Sequence, residues 1–319
     1  MSNRQKDKSP GGERSPAERL GADRLTRRRE LQGSGRMRLC GARQVRVSLR
    51  TIRFLHRTIH CILCALGLNR PGRRNAFDLR VEETTLSCPD LPPAFDGYRI
   101  LHISDIHIDS SPGLLEVLLE KISELEFDVC VFTGDYREEA AGHVDAPIQL
   151  IGRLLRGINA PVYGVLGNHD SIEMVPRLEK EGLQMLLNES AALHCGKDFL
   201  YLAGVDDPYH YQTDHLEKAL EQVPDDGFCI LLVHSPDLSR QAADAGANLY
   251  LCGHTHGGQI CLPNGKPLVA NSCCPADLCR GSWICGNMQG YTSRGAGTSS
   301  VDVRFNCPPE ITVHKLETA

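Results

Sequence analysis

A chain of 319 residues, 41% hydrophobic and 24% charged, has the composition of an ordinary soluble globular protein, long enough for one large domain or two small ones. Its net charge of −5 conceals two parts of opposite sign: residues 1–75 carry 19 Lys and Arg against 5 Asp and Glu, and the remainder 16 against 35. No apolar run approaches the roughly 18 residues of a membrane-spanning helix, and the 14 cysteines do not read as a disulfide framework, since Cys130, Cys229 and Cys252 sit inside apolar runs.

Residues 1–44 are rich in Arg, Gly, Ser and Glu without an apolar period, which predicts disorder. Thr26-Arg27-Arg28-Arg29-Glu30 has the look of a twin-arginine start, but residues 32–38 are polar and basic where an apolar region should follow, so no secretory signal is read. Over 45–68, Ile52, Leu55, Ile59, Ile62 or Leu63, and Leu66 recur at helical spacing, with Arg46, Arg50, Arg53 and Arg57 on other positions. That pattern predicts a basic amphipathic helix of the kind that lies in a membrane interface; the alternative is a helix packed on the body with its arginines solvated. Asn69-Arg70-Pro71-Gly72 ends it. Residues 1–76 thus read as a basic N-terminal arm that should seek an anionic polymer or surface, and 77–319 as the folded domain.

In the domain, an extended segment over 79–86 leads to a strand at 98–104. Further strands are expected at 128–132, 162–166, 182–188, 198–205, 229–233, 248–252 and 311–316. Helices are expected at 114–125, 148–156 and 216–222. Alternating strands and helices imply an α/β sheet sandwiched by helices.

Five short motifs fall just past predicted strands: Asp105-Ile106-His107, Gly134-Asp135, Gly167-Asn168-His169-Asp170, His234, and Gly253-His254-Thr255-His256. The C-terminal edge of such a sheet is where strand-to-loop turns converge on a ligand. Taken singly, His107 reads as a surface histidine, His234 as a satisfied core residue and Asp135 as a turn. The ordered series is what carries information. Carboxylate, amide and imidazole donors without thiolate suit two divalent ions, Mn²⁺ foremost, with Fe²⁺ or Zn²⁺ as alternatives. Such a pair activates a water and clamps phosphate oxygens for in-line attack, so no protein nucleophile is expected. His102, His143, His194 and His215 read as structural or solvated. His210, after Asp206-Asp207-Pro208-Tyr209, is the loop histidine expected to touch substrate, and Arg294 in its Gly-rich loop is a candidate phosphate contact. Cys273, Cys274, Cys279 and Cys285 cluster without the paired spacing of a zinc site.

The series D-x-H, G-D, G-N-H-D, H and G-H-x-H resembles the calcineurin-like metallophosphoesterase superfamily. Phe95-Asp96-Gly97-Tyr98-Arg99-Ile100, Gly204-Val205-Asp206-Asp207-Pro208, Gly257-Gly258-Gln259, Ser293-Arg294-Gly295-Ala296-Gly297-Thr298 and Arg304-Phe305-Asn306-Cys307-Pro308-Pro309-Glu310 resemble one branch of it. That branch contains small bacterial phosphodiesterases and UDP-2,3-diacylglucosamine diphosphatases of lipid A synthesis. The resemblance covers about residues 79–316 and not the arm. It implies a four-layer αββα sandwich. It implies that Asp105, His107 and His256 hold a first metal, that Asp135 bridges through its two oxygens, and that Asn168, His234 and His254 complete the second. It further implies that His169 acts on the leaving oxygen outside the metal shell and that Asp170 hydrogen-bonds and orients His169.

The expected function is hydrolysis of a phosphodiester or pyrophosphate bond by metal-activated hydroxide, on a lipid-linked substrate at an anionic, cytoplasmic membrane face. The alternative is a soluble phosphodiesterase on nucleotides or nucleic acid, with the arm binding polyanions. Aromatic content of 5% and an arm without aromatic interleaving weigh against nucleic acid. A non-catalytic binding protein is disfavoured by the complete ligand set with His169. A protein Ser/Thr phosphatase is disfavoured because Tyr136-Arg137-Glu138-Glu139 follows Gly134-Asp135 where those enzymes show G-D-x-x-D-R-G. Since every candidate ligand lies beyond Leu101, the arm is expected to be dispensable for hydrolysis of a soluble diester.

Overall fold

The computed structural model describes residues 14–39, 45–140, 143–268 and 274–319. In chain order the elements are α1 (Pro16–Leu20), α2 (Ala22–Gly33), β1 (Arg36–Leu39), β2 (Val45–Ser48), α3 (Leu49–Ala65), α4 (Asn69–Ala76), β3 (Arg80–Cys88), β4 (Arg99–Ile103), α5 (Leu114–Ser123), β5 (Val129–Phe132), α6 (Asp145–Arg156), β6 (Val162–Gly164), α7 (Val175–Lys180), β7 (Leu183–Met185), β8 (Glu189–Cys195), β9 (Asp198–Gly204), α8 (Leu216–Leu220), β10 (Cys229–Leu232), α9 (Ser239–Asp244), β11 (Leu249–Cys252), β12 (Gly281–Cys285), β13 (Met288–Thr292) and β14 (Glu310–Thr318).

Two six-stranded sheets carry the fold, ordered β3-β14-β4-β5-β6-β7 and β12-β13-β11-β10-β9-β8. Period-2 side-chain alternation builds their packing. On β5, Val129 and Val131 face the second sheet, while Cys130 and Phe132 face α5, α6 and α7. On β10, Ile230 and Leu232 face the first sheet, while Cys229 and Leu231 face α8 and α9. The layers are therefore α, β, β, α, the sandwich expected. Both sheets keep β4-β5-β6 and β9-β10-β11 parallel, so their C-terminal edges emerge side by side.

The predicted elements that failed did so for local reasons. β8 lies beyond the strand expected at 182–188, because Glu189-Ser190-Ala191-Ala192 lacks strand formers; it is ordered by seven register pairs with β9. The hairpin β12–β13 turns at Gly286-Asn287, with Gly286 at φ 60°.

The largest departure concerns the arm. Residues 14–39 form two helices and a strand packed on the body, not a disordered tail; residues 1–13 and 40–44 lie outside the described residues. Ser15 starts α1 through a capping box with Glu18. Arg19 is buried and donates to Glu189 at 2.9 Å, Glu179 at 2.7 Å and the Met185 carbonyl at 2.6 Å. Leu20 and Leu25 join the core beneath α5, α6 and α7. Arg24, Arg27, Arg38 and Arg46 all donate to carbonyls of residues 209–214. Much of the arm's positive charge is thus spent on the chain's own acidic body.

The helix expected over 45–68 spans Leu49–Ala65, because Val45–Ser48 pairs with β1 and Ser48 caps the helix by accepting from Thr51 N at 3.2 Å. Among the described residues, no helix is long and apolar enough to cross a membrane.

Candidate active site

Each motif leaves its strand within a few residues. Asp105 follows β4, Asp135 follows β5, Asn168 follows β6, His234 follows β10 and His254 follows β11. The chain must turn sharply to aim these side chains inward. Asp105, His107, Asp135, His254 and His256 all adopt positive φ, between 41° and 71°. For non-glycine residues this region costs roughly 1–3 kcal/mol each, strain that the surrounding core sustains. Gly134, at φ 92°, lets the β5 and β6 loops approach closely: a Cβ there would stand 2.5 Å from Gly167 N.

The donors converge in two groups, Asp105-His107-His256 and Asp135-His234-His254, with the atoms of each group within 4.8 Å of one another. His256 Nε2 lies 3.4 Å from Asp105 Oδ1 and 3.2 Å from His107 Nε2. His234 Nε2 lies 2.9 Å from Asn168 Oδ1 and 3.2 Å from His254 Nδ1. Asp135 stands between the groups. Its Oδ2 is 3.6 Å from His107 and 3.3 Å from His234, whereas Oδ1 accepts from His169 N at 2.8 Å.

Backbone carbonyls set the tautomers. His107 Nδ1 faces Arg137 O at 3.0 Å and His234 Nδ1 faces Thr133 O at 2.8 Å. Each carbonyl accepts a proton from Nδ1 and leaves Nε2 with its lone pair inward, as a metal ligand requires.

Burial alone would discharge these imidazoles. For His107, Glu138 and then Asp135 and Asp105 outweigh it, and the ring is pushed up to about 10. For His234, Asp135 does the same, again to about 10. Burial would raise Asp135, but His234, His169 and His107 hold it well below the usual carboxylate range. Burial, with His107 and Arg304 nearby, keeps His256 neutral. A field that holds protons on His107 and His234 equally favours divalent cations among the same donors. Oxygen and imidazole ligands without thiolate fit Mn²⁺, Fe²⁺ or Zn²⁺.

His169 lies beside the ligands. Its ring meets His107 edge-on at 4.9 Å, and its Nδ1 donates to Glu138 O at 2.5 Å. Three expectations are corrected here. Asp170 does not touch the His169 ring. Its buried carboxylate accepts from Asp135 N at 2.8 Å, Tyr136 N at 2.9 Å and Gly167 N at 2.8 Å, tying the β5 and β6 loops together. Arg294 is not poised for phosphate, because its guanidinium pairs with Glu82 and Glu310. His210 is buried beneath the β1–β2 hairpin and accepts from Arg38 N at 3.0 Å; burial and then Arg46 push it down to about 3.

Sequence reasoning missed several contributors. Glu138 Oε2 lies 3.0 Å from His107 Nδ1, and Glu138 forms a third donor group with His107 and His169. It was noticed only for departing from a phosphatase motif. Arg137 supports His169 by donating Nε to its carbonyl at 3.0 Å. Arg304, fully buried, donates to the carbonyls of Arg294, Gly295 and Gly297 at 2.7, 3.0 and 2.6 Å. Tyr209 packs against His254 with ring centroids 4.4 Å apart and planes tilted by 48°. The described cysteines are free thiols; Cys273 lies outside the described residues, and Cys274, Cys279 and Cys285 do not assemble with histidine or carboxylate into a metal group among the described residues.

Comparison with known proteins agrees with this geometry. Residues 98–258 match the family model for calcineurin-like phosphoesterases. The chain is similar to the uncharacterized metallophosphoesterase YkuE of Bacillus subtilis, 33% identical with 75% of this chain and 86% of the relative covered. It is similar to the phosphodiesterase YaeI of Escherichia coli, at 30% identity over 69% and 82% of the two chains. It is also similar to the UDP-2,3-diacylglucosamine pyrophosphatase LpxG of Chlamydia trachomatis, at 28% identity over 73% and 88%. With its motifs at converging strand ends and two adjoining groups of metal donors, the chain belongs to the calcineurin-like phosphoesterase family and is a metal-dependent phosphoesterase.

Proposed function

We propose that the enzyme hydrolyses a phosphodiester or pyrophosphate bond of a lipid-linked substrate, with UDP-2,3-diacylglucosamine as the model compound, on the cytoplasmic face of an anionic membrane. The observation that carries this reading is α3. Its inner stripe, Ile52, His56, Ile59 and Leu63, rests on the body. Away from the body, Phe54, Leu55, Ile62 and Leu66 are exposed, Phe54 by 72%. Arg50, Arg53 and Arg57 form an adjoining cationic flank on the same helix. Arg53 pairs with Glu139 at 2.7 Å, next to Glu138 of the site, so the helix stands at the rim of the centre. An apolar face beside arginines suits an anionic interface, each arginine there contributing roughly 1 kcal/mol. The similarity to the Chlamydia pyrophosphatase and the free thiols of the described cysteines support the same reading.

Asp105, His107 and His256 would hold one divalent ion, and Asp135, Asn168, His234 and His254 the other, Mn²⁺ being the ion proposed. When bound, such ions supply the Lewis acidity that activates water and neutralises phosphate charge. His169 Nε2, its ring fixed through Nδ1 to Glu138 O, delivers a proton to the departing oxygen. Asp170 and Arg137 keep the His169 loop in place through backbone contacts. The nucleotide or nucleic-acid alternative loses support because arginines 19, 24, 27, 28, 38 and 46 bond to the body instead of facing outward as a polyanion-binding array.

The test compares Mn²⁺-loaded enzyme on UDP-2,3-diacylglucosamine in mixed micelles, bis-p-nitrophenyl phosphate and cyclic nucleotides. Alongside it, a Phe54→Ser, Leu55→Ser, Ile62→Ser triple variant is co-sedimented with phosphatidylglycerol vesicles at low and high salt. The variant should lose vesicle binding and lipid-substrate turnover while keeping turnover of the soluble diester. Equal sedimentation and equal lipid turnover by the two forms would remove the membrane reading.

A further inference from the structure

Arg28 of α2 is buried completely, and it lies far outside the family match over 98–258. Its Nη1 donates to Asp206 Oδ1 at 2.6 Å. Its Nη2 donates to Asp170 O at 3.0 Å and Gly167 O at 3.4 Å. Its guanidinium carbon sits 4.0 Å from the centroid of the Tyr211 ring. Gly167 and Asp170 are the two ends of a four-residue turn, and the residues between them are Asn168 and His169. The fork therefore clamps both ends of the turn that presents a candidate metal ligand and the candidate proton donor. Through Asp206 it joins that turn to the loop after β9, where Tyr209 backs His254.

We infer that Arg28 is a positioning residue of the active site, and that the N-terminal segment is a built part of the catalytic unit. The inference rests on the phosphoesterase reading of the site. Arginine suits this place because a planar fork reaches a carboxylate and two carbonyls together, which a single ammonium does not. Arg19 offers an internal contrast. It belongs to the same segment and is equally buried, but it bonds to Glu189, Glu179 and Met185 O, away from the ligands.

The experiment uses full-length protein with Arg28→Lys, and Arg19→Lys as the control for lost packing. Mn²⁺ affinity is read by equilibrium dialysis with elemental analysis, stability by thermal melting, and kcat and KM on bis-p-nitrophenyl phosphate. Arg28→Lys should weaken the more loosely held Mn²⁺ by about 10- to 100-fold and lower kcat by about 10²-fold, with KM within about twofold. Arg19→Lys should lower the melting temperature and leave metal affinity and kcat near wild type. If Arg28→Lys fails to fold, Tyr211→Leu, which removes only the ring beneath the guanidinium, should shift kcat and metal affinity in the same direction. Wild-type metal affinity and kcat in the Arg28 variant, or in Tyr211→Leu where that stands in, would overturn the inference. So would parallel losses in Arg19→Lys that track melting temperature alone. A wild-type enzyme that binds two Mn²⁺ but hydrolyses no phosphoester would instead strike the phosphoesterase reading, with the metal-affinity readout still deciding the role of Arg28.

Discussion

Deleting residues 1–44 should unfold or grossly destabilise the protein, the reverse of what the composition of the arm suggests. Leu20 and Leu25 are buried to 1% and 7% exposure. Removing two such side chains forfeits roughly 1.5–3 kcal/mol each. Arg19 and Arg28 neutralise Glu189 and Asp206, which are 6% and 0% exposed. A buried carboxylate stripped of its partner costs roughly 3–5 kcal/mol. The total is on the order of 10 kcal/mol, comparable with the whole stability of a typical domain, roughly 5–15 kcal/mol. The assay is urea unfolding of the full chain and the 45–319 fragment, each with and without Mn²⁺. The fragment should be insoluble, or lose most of its urea midpoint. Arg19→Ala and Leu20→Ala should fall between the two. A 45–319 fragment with the full-length midpoint and the full-length kcat on a soluble diester would refute the reasoning.

Further outcomes follow from single groups. His169→Ala should retain both metals and lose about 10²- to 10⁴-fold in kcat, less for p-nitrophenolate, which leaves without a proton; loss of a metal by elemental analysis would contradict its place outside the ligand set. Asp170→Asn turns an acceptor of three backbone N–H groups into a side chain with its own N–H₂ among them. It should cost about 3 kcal/mol or more in urea unfolding, whereas an unchanged midpoint with a shifted His169 pH profile would restore the orienting role first expected of it. In metal-free protein, stability should peak near pH 6.5. His102 is pushed down to about 3 by burial, so the stability it confers above pH 6.5, where the unfolded ring titrates, is lost as pH falls towards 3. His107 and His234, pushed up to about 10, confer stability below pH 6.5 that is lost as pH rises towards 10. Each group contributes about 1.4 kcal/mol per pH unit within its window. Urea midpoints in chelator across pH 5–9 check this, and a monotonic profile would contradict it.

The sandwich was legible because β5, β10 and β11 are apolar throughout, β4 nearly so, and all four are followed by chemically distinctive residues. The gathering of donors at one edge was legible for the same reason: Asp105, Asp135, Asn168, His234 and His254 each stand within four residues of a strand's end. What stayed hidden was the supporting chemistry. Arg28, Glu138 and Arg304 act through partners 139 or more, about 30 and about 10 residues away, and charged side chains of this type ordinarily read as solvated. Asp170 was misassigned because its partners are backbone amides, which the sequence does not mark. Arg294 and His210 were singled out by Gly-rich or acidic surroundings, yet those surroundings are what occupy them. The arm misled most, since an arginine-rich stretch without an apolar period finds its order in acidic residues more than 130 positions later.

The most direct test of the account is Mn²⁺ titration of chelator-treated wild type and Asp135→Asn, with elemental analysis and hydrolysis of bis-p-nitrophenyl phosphate followed together. Asp135 Oδ2 stands 3.6 Å from His107 and 3.3 Å from His234, facing both donor groups. Wild type should bind two Mn²⁺ per chain, with activity appearing as the second is taken up, and Asp135→Asn should weaken both sites and lose most turnover. Two tightly held ions with normal turnover in Asp135→Asn, or full activity of wild type with a single ion, would contradict the dinuclear centre.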